Sequence, residues 1–272
     1  MRGGVLWAGL WVGCGALLWS SGLTAGDMTR PGRKTSRVLR SGMVRVPAGT
    51  FLRGSPKGTH SPSEQPQRPI WLDEFWVDVH EVTTEEYRTC VNAGRCSVPV
   101  SRDTLCNWSI QKHDKHPINC VSWEQARDYC QWEGKRLPTE AEWEKAARGT
   151  DGRTYPWGEQ EATCERACMA QGSWGCGDGG TCPVGSRPKG ASPYGAHDMS
   201  GNVWEWTADW HADNYYKLAP ARNPKGPLRG TRHAIRGGGY GMYQDGQRCA
   251  NRDGGFMTHY DGGDAVGFRC AF

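Results

Sequence analysis

The pattern of apolar and polar positions predicts short strands at the beginning of the folded part of the chain. Residues 43–47 and 49–52 alternate on either side of a turn, and residues 75–79 (Phe-Trp-Val-Asp-Val) alternate as a strand. Between these segments, residues 54–69 are rich in Ser, Pro, Lys and Gln, which is typical of a loop.

Three short helices are predicted from their capping signals. A Ser or Thr stands three residues before a Glu or Gln at each start: Thr83 and Glu86, Ser122 and Gln125, Thr139 and Glu142. A glycine follows each segment where the helix is expected to end: Gly94, Gly134 and Gly149. Each helix has only two or three turns, so tertiary contacts must hold it. Beyond residue 150 the pattern indicates turns and short strands only.

The stretch 198–206 (Asp-Met-Ser-Gly-Asn-Val-Trp-Glu-Trp) has an unusual mixture of side chains. Trp204 and Trp206 share one side of an extended segment and can anchor it in a core. Asp198, Asn202 and Glu205 supply oxygens, and such oxygens with backbone carbonyls suit a hard cation such as calcium. The alternative is a tight turn whose polar side chains bond their own backbone, because no EF-hand pattern is present.

Composition indicates a loop-rich domain that needs bracing. The 272 residues include 38 Gly and 16 Pro, which favour turns, and 14 Trp, which bring a large buried area. Twelve cysteines are available as disulfide braces. The net charge is +4, but residues 1–41 carry +5, so the rest of the chain carries −1. A folded part without a basic excess argues against nucleic-acid binding.

The first 25 residues resemble a signal peptide, with Arg2 before an apolar run and small residues up to Ala25. The alternative is a lipoprotein acylated at Cys14, and only then is a membrane partner expected. Residues 26–41 are basic and without periodicity, as in a flexible linker, and the domain is expected over residues 42–272. The predicted location is outside the cytoplasm, periplasmic or extracellular, where disulfides form.

Several motifs occur in one order along the chain. They are residues 116–123 (His-Pro-Ile-Asn-Cys-Val-Ser-Trp), 134–144 (Gly-Lys-Arg-Leu-Pro-Thr-Glu-Ala-Glu-Trp-Glu), 155–158 (Tyr-Pro-Trp-Gly), 201–206, 236–238 (Arg-Gly-Gly) and 267–270 (Gly-Phe-Arg-Cys). In this order they closely resemble the formylglycine-generating-enzyme (sulfatase-modifying factor) family. The resemblance implies an α+β fold with a C-type-lectin-like core, few short helices, short strands and much irregular loop.

The resemblance also implies a calcium site at the 198–206 stretch. Matched residue by residue, the ligands are the side chains of Asp198 and Glu205 and the backbone carbonyls of Gly201 and Val203. A second family calcium site corresponds to about residues 164–182, where no ligands can be assigned. Calcium is therefore the expected cofactor.

The catalytic feature of the family is missing from this sequence. Family oxidases convert a cysteine of a sulfatase to formylglycine with oxygen and a Cu(I) ion held by two cysteines, and soft thiolates suit Cu(I). That pair is expected between Gly238 and the segment 248–252, but residues 239–247 contain no cysteine. Met242 lies nearest to the first family cysteine, and one thioether is a weak copper site. Copper is therefore not expected as a cofactor.

The cysteines are expected to form disulfides. Without Cys14 the chain has eleven, so at least one remains unpaired within the chain. The resemblance implies a Cys130–Cys270 bridge and leaves Cys249 without its family partner, because Ala147 stands there. Proximity favours two further pairs, Cys90 with Cys96 and Cys106 with Cys120. The remaining four cysteines are Cys164, Cys168, Cys176 and Cys182. They are expected to form two bridges rather than a zinc site.

Two function classes follow from these observations. The first is a non-oxidase binding module for a protein, peptide or glycan ligand, with a groove formed by segments 206–216, 239–247 and 253–265. Its candidate residues are Trp210, Tyr240, Met242, Tyr243, Arg248 and Arg252. The second is an oxidoreductase that converts a protein cysteine to formylglycine, or a related oxidation, through an unrecognised site. A structural envelope protein tethered through Cys14 is a third interpretation.

Overall fold

The computed structural model describes residues 40–99, 104–254 and 263–272. Short strands and helices alternate with long irregular segments over this range. The strands are β1 (Met43–Val46), β2 (Gly49–Arg53), β3 (Arg68–Leu72), β4 (Phe75–Asp78), β5 (Trp204–Trp210), β6 (His233–Arg236), β7 (Arg252–Asp253) and β8 (Val266–Gly267). The α-helices are α1 (Thr84–Asn92), α2 (Trp123–Trp132), α3 (Glu140–Arg148) and α4 (Tyr215–Leu218). This α+β content agrees with the predicted fold class.

Three small sheets connect distant parts of the chain. β1 pairs with β4, and β2 pairs with β3, both antiparallel. The third sheet has the order β7-β6-β5-β8, in which β5 and β8 run parallel. β1 and β2 follow each other in sequence, yet each pairs with a later strand, so their partners could not be read from the local pattern. β3 was not predicted, and it begins inside the segment expected to be a loop.

The three predicted helices are confirmed with their capping boxes. Thr83, Ser122 and Thr139 each accept a hydrogen bond from the backbone N–H three residues later, and the Glu or Gln side chain there bonds back. The fourth helix corrects the expectation that no helix follows residue 150. α4 has four residues and no side-chain cap, so it carried no sequence signal.

Two hydrophobic clusters form the core. One joins α1, α2, β5 and β8, and it includes Tyr87, Tyr129, Trp206 and Phe268. The other joins the first four strands to α3, with Trp143 fully buried in it. Because β5 contributes Trp206 to the first cluster, the 198–206 stretch is anchored as its alternation of tryptophans predicted.

Five disulfides connect the described residues. They are Cys90–Cys96, Cys106–Cys120, Cys130–Cys270, Cys164–Cys176 and Cys168–Cys182. Cys249 is the free cysteine of the described residues, and it is buried. The four cysteines of residues 164–182, for which zinc was the rival interpretation, are therefore paired as two bridges.

Residues 1–39 lie outside the described range, and the predicted signal peptide and Cys14 with them. Among the residues that are described, none of the helices is both long and apolar enough to cross a membrane.

Candidate functional site

The loop before β5 has a left-handed backbone at three positions. Asp198, Gly201 and Asn202 have φ angles of 55°, 84° and 62°. Asp198 accepts a 2.6 Å hydrogen bond from the Gly185 N–H, and the Asn202 carboxamide oxygen accepts one from the Cys182 N–H at 2.9 Å. These side chains therefore fix the loop against the segment 182–185.

Three buried carboxyl groups meet beside this loop. Burial, followed by the negative charges of Asp198 and Glu205, raises the pKa of Glu81 well above its ordinary value. Burial likewise raises the pKa of Asp198. Arg269 is the cation that faces all three carboxyl groups. Among the described residues, three carboxyl groups thus face one guanidinium group.

The predicted calcium ligands are close in sequence, on this loop and at the start of β5. Carboxylate and carbonyl oxygens are the donors that calcium prefers, so the donor set fits calcium in kind. Both oxygens of Glu205 already accept hydrogen bonds from Arg269, at 2.7 and 2.8 Å. The described residues include no group of three or more His, Cys, Asp or Glu arranged to hold a metal ion. A group of that kind consists of side chains only, whereas two of the four predicted calcium ligands are backbone carbonyls.

The segment 239–247 is held by the loop that carries two of the disulfides. The Ala170 N–H donates to the Met242 carbonyl at 3.0 Å, and the Gly175 N–H donates to the Tyr240 carbonyl at 3.1 Å. The Trp174 ring lies edge-on to the Tyr240 ring, with centroids 6.5 Å apart. The disulfide of Cys168 packs against the buried Tyr240 ring. We call residues 164–182 the cystine loop.

Three side chains at this junction are exposed. Trp174 is 56 % exposed, Met242 37 % and Tyr243 64 %. We call these three residues the aromatic edge. Trp174 was not among the predicted groove residues, because only the backbone bonds of the cystine loop bring it beside Tyr240.

The six predicted groove residues lie in three different environments. Tyr240, Met242 and Tyr243 belong to the segment under the cystine loop, where the Tyr240 hydroxyl donates to Asp264 at 2.6 Å. Trp210 stacks on His233, with ring centroids 3.7 Å apart, and Trp123 stacks on the same imidazole. Phe256, His259 and Tyr260, which the proposed groove also included, lie outside the described residues.

Arg248 and Arg252 are buried in ion pairs. Arg248 donates to both oxygens of Glu64, at 2.8 and 3.0 Å. Arg252 donates to both oxygens of Glu140, at 2.6 and 3.0 Å. These two guanidinium groups stabilise the interior rather than offering donors at the surface. Their glutamate partners are more than 100 residues away along the chain, so no local pattern could show the pairing.

Comparisons with known proteins identify the family of this domain. A family profile described as the sulfatase-modifying factor enzyme 1-like domain matches residues 29–272. The chain belongs to this family. It is 32 % identical to the formylglycine-generating enzyme of Mus musculus over 84 % of this chain and 74 % of that protein. The solved structure of PvdO from Pseudomonas aeruginosa aligns with a TM-score of 0.71 at 28 % identity, covering 84 % of this chain and 93 % of that one.

A longer relative also contains this domain. The chain is 36 % identical to a protein named serine/threonine-protein kinase pkn1 of Chlamydia caviae, over 84 % of this chain. The chain spans 37 % of the length of that relative. The match therefore concerns the shared domain alone.

The only free thiol of this sulfatase-modifying factor domain within the described residues is Cys249. Burial raises the pKa of the Cys249 thiol to about 12, so the sulfur stays protonated at neutral pH. Cys249 and Ala147 both lie in the second core cluster. A small apolar residue and a protonated thiol thus share an apolar interior, which gives Cys249 a packing role.

The side chain of Asn107 is almost fully buried. Its side chain donates to the Pro117 carbonyl at 2.8 Å and to the Thr181 hydroxyl at 2.9 Å. These bonds join the loop 104–117 to the end of the cystine loop.

Proposed function

We propose that this sulfatase-modifying factor domain is an exported binding module for a protein, peptide or glycan, and that it does not oxidise cysteine. One observation carries this proposal. The segment 239–247, where the family resemblance places the copper thiols, contains no cysteine and is held by the cystine loop through backbone hydrogen bonds.

Copper chemistry of the family type requires two thiolates at one point, because soft ligands hold Cu(I) in low coordination. Ten of the described cysteines are paired, and Cys249 is buried with a raised pKa. A protonated, enclosed thiol is a poor ligand and a poor nucleophile. The described residues therefore supply no pair that resembles the family's copper site.

The aromatic edge supports a binding role. Trp174, Met242 and Tyr243 expose apolar surface beside a backbone that two segments fix. Large aromatic side chains carry much of the energy in binding surfaces because they bury a wide area at little conformational cost. A peptide or a sugar ring that stacks on Trp174 is the ligand chemistry that this edge favours.

The binding proposal is tested with the purified protein on a peptide library and a glycan array. Ligands found there are then measured by calorimetry against Trp174→Ala and Tyr243→Ala. Each variant is expected to weaken binding at least about tenfold, as truncation of a central aromatic contact does. Leu228→Ala, at an exposed position of a different segment, is the control and should bind as the wild type does. Equal affinity in all four proteins would contradict the proposal.

The oxidoreductase alternative is tested separately. Oxygen uptake is followed with Cu(I), a reductant and a peptide that carries a single cysteine, and the peptide mass is read afterwards. We expect no conversion of the cysteine. Turnover that depends on copper would overturn the binding-only proposal.

Calcium is part of the proposal as a structural ion. We propose that Asp198, Gly201, Val203 and Glu205 hold it, since carboxylate and carbonyl oxygens suit calcium and three carboxyl groups share one guanidinium group here. Calcium is then expected to raise the thermal midpoint relative to EGTA, and Asp198→Asn to remove most of the rise. Glu161→Gln, an exposed carboxylate outside residues 164–182, is the control. The same midpoint in calcium and EGTA would exclude the site.

Export is proposed from the five disulfides and the signal-like first 25 residues. Mass analysis of the mature protein from its native host distinguishes the two routes. Cleavage after Ala25 gives an unmodified secreted chain, whereas a lipidated Cys14 at the N-terminus gives a membrane-anchored one. A full-length, reduced chain in the cytoplasm would contradict both.

A further inference from the structure

A buried network of arginines and glutamates lies between β2, α3, α4 and β7. Its ion pairs are Arg148 with Glu144, Arg236 with Glu140 and Glu144, Arg248 with Glu64, and Arg252 with Glu140. Each of these four arginines has a carboxylate partner. This is the arrangement that buried charges require, because an unpaired charge in a protein interior is strongly destabilising.

Arg53, the last residue of β2, is an exception in this network. Its side chain is 1 % exposed, and its guanidinium carbon lies 3.9 Å from the centroid of the Tyr216 ring, which also faces Arg252 at 4.5 Å. Two of its donors, Nε and Nη2, have no hydrogen-bond partner in the described part of the chain. No carboxylate pairs with Arg53 among the described ion pairs.

The two free donors of Arg53 are the pair that forms a bidentate fork. Nε and Nη2 point in the same direction from a planar guanidinium, so together they match the two oxygens of a carboxylate or phosphate. The same chain uses this fork elsewhere. Arg252 directs Nε and Nη2 to Glu140, and Arg269 directs them to Glu205. In Arg53 the equivalent edge is buried and has no partner among the described residues.

A second arginine stands directly opposite. Arg53 of β2 pairs in register with Arg68 of β3, so the two side chains lie on the same face of the sheet. Arg68 donates from Nη2 to the Ala219 carbonyl, but its Nε has no partner within the described residues. Like charges at directly opposite positions destabilise a strand pair unless something of opposite charge lies near them.

The charges around this strand pair do not balance. Among the described residues, six guanidinium groups lie in or beside this network, whereas the buried carboxyl groups beside them number four. The six are Arg53, Arg68, Arg148, Arg236, Arg248 and Arg252, and the four are Glu64, Glu140, Glu144 and Asp209. All except Arg68 are buried. An anion from outside the chain would offset the surplus at the fork of Arg53.

We propose that Arg53 and Arg68 form a binding site for one small oxyanion of the carboxylate, sulfate or phosphate class, at the end of the β2–β3 pair beside α4. The fork of Arg53 holds two oxygens of the anion, and Nε of Arg68 supplies a further donor. This site is separate from the aromatic edge and from the predicted calcium loop.

Burial limits the size of the anion. Arg53 is enclosed by Tyr215 and Tyr216 of α4, whereas Arg68 is half-buried. Because solvent reaches Arg68 but not Arg53, an anion has to approach from the side of Arg68. A single carboxylate or inorganic oxyanion fits this approach better than a bulky or polymeric ligand does.

The proposal is tested on the full-length, disulfide-bonded protein by thermal unfolding and calorimetry. Sodium sulfate, phosphate and acetate are titrated up to about 10 mM at ionic strength held constant with sodium chloride. At such concentrations the general stabilisation by excluded salts is small, whereas binding to the native state gives a saturable rise. The three anions distinguish an inorganic from a carboxylate ligand.

The matched variants are Arg68→Gln and Arg45→Gln. Arg68→Gln should weaken the affinity for the anion at least about tenfold, since it removes one charge-assisted donor. Arg45→Gln breaks an exposed pair with Glu74 and should leave the anion response as in the wild type. Arg53→Gln should abolish the response. If Arg53→Gln does not fold, because Arg53 is buried, the anion response of Arg68→Gln is the test.

Two results would overturn the proposal. The first is a wild-type midpoint and calorimetric heat that do not respond to any of the three anions. The second is an equal response in the wild type and Arg68→Gln, which would mean a general salt effect or an adventitious ion only.

Discussion

Arg269 donates two hydrogen bonds to Glu205, at 2.8 and 2.7 Å, and both side chains are fully buried. The Trp143 indole donates a third bond to Glu205 at 2.8 Å. The pair therefore joins the last segment of the chain, β5 and α3 at one carboxylate. Both charged residues belong to motifs that the sequence displays, but only the fold brings them together.

Breaking this pair is expected to cost far more than breaking an exposed one. In EGTA, Arg269→Gln leaves Glu205 buried without its arginine partner and should lower the free energy of unfolding by about 3–5 kcal/mol. Arg45→Gln, which removes the exposed partner of Glu74, should leave the free energy of unfolding almost unchanged. Urea unfolding of both variants checks the difference. Similar small losses would mean that the buried pair is not essential to stability.

Gly201 is expected to tolerate no side chain. Its φ is 84°, and a Cβ there would lie 2.4 Å from the Cys168 carbonyl oxygen. Gly201→Ala should therefore cost more than about 2 kcal/mol, from backbone strain together with a clash against fixed backbone. Gly94→Ala is the matched control, because its φ is 66° with nothing within 4 Å of the added atom. It should cost about 1 kcal/mol, as measured by chemical denaturation, and equal costs would refute the clash.

Stability is expected to fall in acid through Glu140. Burial alone would raise its pKa, but the charge and hydrogen bonds of Arg252 outweigh burial and lower the pKa of Glu140 to about 2. Because the folded value lies below the ordinary 4.5, the stabilisation is complete above about pH 4.5. It is lost as the pH falls from there toward 2, and it amounts to about 3 kcal/mol.

The variant Glu140→Gln isolates this contribution. It should unfold more easily at pH 7, and its stability should then fall less than that of the wild type between pH 4.5 and 2. Glu161→Gln, at an exposed position, is the control. Chemical denaturation at several pH values gives the slopes, and parallel slopes for the wild type and Glu140→Gln would contradict the assignment.

The two disulfides that involve helices α1 and α2 are expected to differ in their contribution to the free energy of unfolding. Cys130–Cys270 spans 140 residues and Cys90–Cys96 spans 6. The chain-entropy model gives about 5 kcal/mol for the long loop and about 2 kcal/mol for the short one. Replacing each pair by two alanines and measuring the midpoint of unfolding checks the order. A larger loss from the short loop would show that local strain or packing, rather than loop closure, sets the values.

Local signals in the sequence determined three helices. Each capping box lies within four residues, so the physics that starts the helix is contained in the sequence itself. The same holds for the tryptophan alternation that anchors β5. The family was also within reach of the sequence, because its motifs are short and specific. α4 and β3 were missed because neither has a local cap or a clear alternation.

Only the tertiary structure decided which strands pair and which side chains are in contact. Strand partners depend on contacts between distant segments, and β1 and β2 each pair with a later strand rather than with each other. Arg248 and Arg252 looked available in the sequence but are buried against glutamates from elsewhere in the chain. The two buried donors of Arg53 that lack a partner among the described residues are likewise visible only in three dimensions. A sequence records which donors exist, whereas the fold decides which acceptors reach them.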